Sequence, residues 1–135
     1  MIGVLIISHG KFSTEILKSA ELIIGRQENV ATLHLNADDD IQLLRQKVNE
    51  QIYELDQGEG VLILTDLFGG SPSNVALATI KNMDNVYGIS GVNLPMVIEA
   101  LMLRHSNPLD KLTESCCKSA AEGIKNLTQL ISPTK

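Results

Sequence analysis

Three groups of residues in this chain carry reactive chemistry. The first is His9, directly after the aliphatic run Ile2–Ser8. A histidine at the end of a buried strand is held by rigid backbone and is partly exposed. Imidazole changes charge near neutral pH, so it can act as a nucleophile or a proton carrier. The second is Asp66, directly after another apolar run, Val61–Thr65. A carboxylate there can accept a hydrogen bond from one ring nitrogen of His9. That fixes the tautomer and leaves a lone pair on the other nitrogen. The third is Gly69-Gly70-Ser71-Pro72-Ser73. Two glycines let backbone approach a ligand, Ser71 or Ser73 can cap a following helix, and free N–H groups at that helix start favour an anion. The spacing and the missing lysine exclude a Walker loop. A nucleophile, its orienter and an anion cradle together suit a phosphoryl group, whose transfer asks mainly for positioning and charge stabilisation.

These residues need elements that bring them to one place. Ile2–Ser8 is aliphatic without alternation, as in a strand covered on both faces. Phe12, Ile16, Leu17, Ala20, Ile23 and Ile24 recur at helical spacing, and Gly25 sits at a C-cap position. Val30–Leu35 is a second strand. Asp38-Asp39-Asp40 then suits a helix N-terminus, and Ile41, Leu44, Val48, Ile52 and Leu55 form its apolar stripe, closed by Gly58 and Gly60. Val61–Thr65 is a third strand, and a helix starts at Ser71 or Ser73 with Pro72 in its first turn. Val86–Ser90 is a fourth strand. Helices follow from Pro95 to about Leu103 and over Asp110–Ala121. Ile124–Ile131 fits a helix end or an edge strand, and periodicity does not decide between them.

Four β-α units in sequence demand right-handed crossovers. The expected fold is α/β, an open, mainly parallel four-stranded sheet with helices on both faces. Ligands of such sheets bind outside the carboxyl ends of the strands. Ser8, His9 and Gly10, then Asp66 to Ser71, then Ser90, Gly91 and Asn93 all belong to that edge. Residues 1–131 form one domain, and 132–135 are a tail.

Composition removes several other classes. The net charge is −5, with 11 Lys and Arg against 16 Asp and Glu, and no basic stripe marks a nucleic-acid surface. Aromatic residues are 3% of the chain, too few for base stacking. No apolar stretch approaches a membrane span, and the N-terminus lacks the basic region of a signal peptide. Cys116 and Cys117 are adjacent, and no Cys-x-x-Cys pair suggests zinc. They are expected to be reduced thiols packed on or beside a helix of a cytoplasmic protein. His34, inside the second strand, is expected to be structural. His105, in a loop after a helix whose last turn holds Arg104, is expected to be a C-terminal cap or surface residue, where a cation offsets the helix dipole. No metal-ligand spacing occurs.

The motifs carry a family likeness. Ile6-Ile7-Ser8-His9-Gly10, Thr65-Asp66-Leu67-Phe68-Gly69-Gly70-Ser71-Pro72 with Asn74, and Gly91-Val92-Asn93-Leu94-Pro95-Met96 occur in order. Over nearly the whole chain, to about Leu130, it resembles the enzyme IIA component of the mannose-type bacterial sugar phosphotransferase system. The resemblance implies a phosphotransferase that carries a phosphoryl group on His9, at Nε2, with Asp66 on Nδ1. It implies that Ser71 contacts the phosphoryl group, with Gly70, Gly69 and Leu67 beside it. Gly10, Phe68, Asn93 and Pro95 belong to the surrounding loops. It implies phosphorylated HPr as donor and a IIB component as acceptor, the latter on a separate chain and serving a IIC/IID permease, with no cofactor. It also implies a homodimer that exchanges a C-terminal strand, which would make Ile124–Ile131 a fifth, antiparallel edge strand. Apart from Lys11 these loops hold no Lys or Arg, as suits a carrier that must release its phosphate.

Two other readings are weighed against this one. A regulatory domain of the same fold would be phosphorylated as a signal. A buried strand followed by Ser-His-Gly also occurs in sirohydrochlorin and cobalt chelatases, but these need further metal-facing residues at other strand ends, where His34 and His105 do not fall. Histidine phosphatases use Arg-His-Gly, and here Ser8 stands in place of the arginine.

Overall fold

The computed structural model describes all 135 residues. The elements run β1 (Gly3–His9), α1 (Phe12–Ile24), β2 (Val30–Leu35), α2 (Ile41–Leu55), β3 (Val61–Thr65), α3 (Ser71–Asn82), β4 (Val86–Ser90), α4 (Leu94–Leu103), α5 (Leu109–Glu122) and α6 (Leu127–Ile131). The four strands are all parallel, in the order β2-β1-β3-β4.

The unbroken aliphatic strands follow from coverage on both faces. On one face Ile2, Val4, Ile6, Leu62 and Leu64 pack against α1, α4 and α5. On the other, Leu5, Ile7, Val61, Ile63 and Val86 pack against α2 and α3. Each fully buried Leu or Ile contributes about 1.5–3 kcal/mol, so a polar residue inside β1 or β3 has no face to occupy.

The helix starts follow their sequence signals with one change. Asp40 caps α2, its carboxylate accepting from the Gln42 N–H at 2.9 Å. Asn93 caps α4 in the same way, accepting from the Met96 N–H at 3.1 Å. The N-cap of α3, however, is Gly70 and no side chain caps it; Ser71 and Pro72 already lie in the first turn. Gly25 ends α1 with φ +89°, as its position predicts.

Folding settles three further placements. His34 lies on the edge strand β2 and is exposed rather than packed in the core. Arg104 is 1% exposed, whereas His105 beside it is exposed, as its reading as a cap or surface residue expects. The Arg104 guanidinium donates to the carbonyls of Asn29 (2.9 Å), Glu28 (2.5 Å) and Ile2 (3.3 Å) and to Gln27 Oε1 (3.3 Å). It ties the end of α4 to β1 and to the turn before β2, where Asn29 is the one non-glycine residue at positive φ. Residues 127–131 form the short helix α6, so the single chain makes no fifth strand.

Candidate functional site

The strand order decides where the site lies. From β1 the chain first moves outward to β2 and then returns to place β3 on the other side of β1. The crevice between β1 and β3 is the point where direction reverses, the usual ligand site of such sheets. Ile7 is the register partner of Thr65, so His9, two residues on, and Asp66, one residue on, leave the two central strands side by side.

His9 is the last residue of β1, not the first of the loop. Strand alternation puts it on the same face as Leu5 and Ile7, the face covered by α3. Asp66 Oδ2 accepts twice from this one residue, from the His9 backbone N–H at 2.8 Å and from ring Nδ1 at 2.9 Å. A carboxylate only accepts, so the neutral ring carries its proton on Nδ1 and a lone pair on Nε2. The His9 side chain is 49% exposed and that of Asp66 16%. The orienting group is thus held inside while the reactive edge faces solvent.

The turn after His9 is built by neighbouring serines. Ser8, on the opposite face, is fully buried. Its hydroxyl accepts from the Ser13 N–H at 2.8 Å and donates to the Gly10 carbonyl at 3.0 Å. Ser13 in turn donates to the Leu33 carbonyl at 3.0 Å. Gly10 takes φ +55°, which a glycine adopts without strain. The end of β1 is therefore pinned from below while His9 points outward.

The start of α3 faces the His9 ring. A Cβ built on Gly70 would lie 2.7 Å from His9 Cε1 and 3.3 Å from Nε2. The lone-pair nitrogen consequently sits at the N-cap of α3. The main-chain N–H groups of Ser71 and Ser73 have no acceptor within the chain, and Pro72 has no N–H. A helix start of this kind favours negative charge.

The structure brings together His9, Asp66, Gly70 and Ser71, with Gly10 at the turn below. Leu67 and Phe68, in the loop after Asp66, are 60% and 77% exposed, and Phe12, at the start of α1, is 46% exposed. Gly69 takes φ +89° in the same loop. Asn93 is otherwise engaged, capping α4 and donating to the Ala120 carbonyl at 3.0 Å. Pro95 packs against Gly123 at the end of α5. Sequence reasoning missed the Ser8–Ser13 pinning and the contact of Gly70 with the ring. Serines and glycines carry no signal of such partners until the fold is known. No group of three or more His, Cys, Asp or Glu side chains is placed to hold a metal ion. No helix is long and apolar enough to cross a membrane. A surface depression of about 790 Å³ runs along α1 past Glu15, Lys18 and Arg26, and His9 does not line it.

The family model described as "PTS system fructose IIA component" matches residues 3–117. The chain belongs to this family. It is 37% identical over 127 residues to the mannose-specific EIIAB component of the phosphotransferase system in Escherichia coli K12. That match covers 93% of this chain but 39% of the relative, so the chain spans well under half of that protein's length. The fructose-specific EIIA component of Bacillus subtilis is 33% identical over 112 residues, 83% of this chain and 77% of the relative. Among solved structures, an EIIA component from Streptococcus agalactiae superposes with a TM-score of 0.88 at 32% identity, covering 96% of this chain and 99% of that one. The chain therefore has the fold of this IIA family, as its motifs imply.

Proposed function

We propose that this IIA component is a cytoplasmic phosphocarrier that works through a phosphohistidine at His9. Nε2 attacks phosphorus of phosphorylated HPr, and the N–P bond forms as the bond to HPr breaks. Asp66 keeps the Nδ1 proton in place and balances the positive charge the ring acquires on phosphorylation. The N–H groups of Ser71 and Ser73, with the Ser71 hydroxyl, receive the phosphoryl oxygens. A histidine of a IIB component then takes the group, and His9 returns to its neutral form. The observation that carries this reading is the double acceptance by Asp66 Oδ2, which leaves Nε2 as the free, exposed nitrogen at the start of α3. The exposed apolar side chains of Leu67 and Phe68, in the loop after Asp66, support docking of a protein donor.

The test is an intact-mass measurement after incubation with phosphoenolpyruvate, enzyme I and HPr. One acid-labile phosphoryl group is expected on the wild type and none on His9→Ala. No added mass, under conditions where HPr itself is phosphorylated, overturns the reading. Adding a IIB component then separates a transport carrier, which discharges, from a signalling domain, which retains its phosphate.

The carrier is also proposed to be a homodimer through its C-terminal segment. Ile124, Leu127, Leu130 and Ile131 are 68–87% exposed, and no residue of α6 is buried. β4 is an open sheet edge. Beside it Phe68, Leu77, Ile80 and Ile89 line a groove of about 210 Å³. Residues 124–131 of a second copy, refolded as a strand, would satisfy that edge and cover the groove. Sedimentation should give a dimer for the full chain and a monomer after truncation at Gly123; a full chain that sediments as a monomer at micromolar concentration refutes this assembly.

A further inference from the structure

We infer that Gly70 is a positioning residue for the His9 ring, and that its lack of a side chain is required by the imidazole and not by the backbone. The inference deepens the phosphocarrier reading and rests on it for its functional consequence.

Two adjacent glycines separate two reasons for having glycine. Gly69 sits at φ +89°, where other residues are strained, and a Cβ there would meet nothing within 4 Å. Gly70 is the opposite case. Its φ of −84° and ψ of 172° are ordinary extended backbone, open to alanine. A Cβ there would lie 2.7 Å from His9 Cε1, well inside the 3.4 Å at which ordinary contact begins. His9 Nε2 follows at 3.3 Å, and the nearest atom outside the ring is the Leu67 carbonyl oxygen at 3.8 Å. The space that Gly70 leaves is occupied by the ring.

The ring cannot yield freely. Nδ1 is held by Asp66 Oδ2 at 2.9 Å, and the same oxygen holds the His9 backbone N–H. A methyl group at position 70 must push the ring or the loop by about 0.7 Å. Moving the ring strains its bond to Asp66, and moving the loop withdraws the start of α3 from Nε2. Both separate the attacking nitrogen from the N–H groups of Ser71 and Ser73. Asp66 thus sets the ring's tautomer, and Gly70 sets its distance from the helix start. A misplacement of about 1 Å at a reacting centre can cost roughly a hundredfold in rate.

The test uses the full chain with ¹⁵N-labelled histidine. In the wild type a nuclear Overhauser contact is expected between Hε1 of His9 and the α protons of Gly70, with ring signals of the Nδ1–H tautomer. Gly70→Ala should retain the wild-type circular dichroism, but its ring signals should move toward the average of the two tautomers. Phosphoryl acceptance should fall by about tenfold or more, both from phospho-HPr and from phosphoramidate, a small donor that needs no docking surface. Gly69→Ala should lose stability through its backbone yet keep the wild-type ring signals. A folded Gly70→Ala with wild-type ring signals and rates overturns the inference. So does a wild type without the Hε1–Gly70 contact, a measurement that decides the matter if Gly70→Ala fails to fold. Failure of the phosphocarrier reading looks different: the wild type takes no phosphoryl group from phospho-HPr while the ring contact is present.

Discussion

Replacing Asp66 by asparagine keeps the shape of the side chain and removes its charge. Two orientations of the new amide are possible, and both impair the site. In the first, the amide oxygen takes the place of Oδ2 and still accepts from the His9 N–H and from Nδ1. The NH₂ then occupies the position of Oδ1, which is buried with no hydrogen-bond partner in the chain. In the second, the NH₂ faces His9. It then opposes the backbone N–H and donates to Nδ1, which moves the ring proton to Nε2 and removes the attacking lone pair. In either case the phosphorylated ring loses the carboxylate that balances its charge. A hydrogen bond to a charged group contributes about 1.5–3 kcal/mol. Felt in the transition state, that is roughly a 10- to 150-fold loss of rate. The assay is quenched intact-mass spectrometry of the IIA component mixed with excess phospho-HPr, with circular dichroism to confirm folding. Asp66→Asn should still be phosphorylated at His9, but slower by this factor. A rate within about threefold of wild type would show that the 2.9 Å contact contributes little to the reaction.

Three further outcomes follow from the structure. Arg104→Ala should destabilise the fold by about 3–5 kcal/mol, because four acceptors around the end of α4 lose their donor in a buried site. Arg104→Lys should recover only part of this, since an ammonium lacks the planar fork; urea denaturation measures both, and a loss below about 1 kcal/mol for alanine would contradict the stapling role. The Asp56 carboxyl is held below its ordinary value of 3.8, chiefly by the Gly58 N–H, and further by the Gly60 N–H and the Asn85 amide. Its stabilisation is therefore complete above about pH 4 and is lost as the pH falls through the lower folded value. The Tm difference between wild type and Asp56→Ala should shrink as the pH falls below 3.8, and a difference unchanged at pH 2 argues against this linkage. Burial, with the Glu99 charge nearby, pushes the Cys116 thiol up to about 12, while Cys117 is exposed. Iodoacetamide at pH 8 should alkylate Cys117 alone in the folded protein and both after unfolding; equal native labelling would place Cys116 outside the core.

Much of the site was legible because its chemistry is carried by residue type and position along the chain. His9 and Asp66 each end an aliphatic run, and an aliphatic run without alternation marks a strand buried on both faces. Gly69-Gly70-Ser71-Pro72 reads as a loop running into a helix. The caps of α2 and the glycine ending α1 are likewise local, since a cap bonds to backbone only a few residues away. Signals that need a distant partner were silent or misread. Nothing near Arg104 in the sequence signals the carbonyls of Ile2, Glu28 and Asn29 that surround it in the fold. His34 sits within a strand, but only the strand order shows that this strand is an exposed edge. The apolar segment 124–131 fits a helix or a strand, and in the single chain short-range hydrogen bonding makes Leu127–Ile131 a helix.

The sequence by itself determined the repeating β-α pattern, the carboxyl edge that holds the reactive residues, and the family. These depend on periodicity and on short motifs, which are properties of neighbouring residues. The tertiary structure alone decided that β1 and β3 are adjacent, so that one carboxylate oxygen meets both the backbone and the ring of His9. It also decided that the ring rests on Gly70 at the start of α3. Hydrogen bonds and steric contacts act over a few ångströms, and residues 57 positions apart come within that range only after the sheet has assembled.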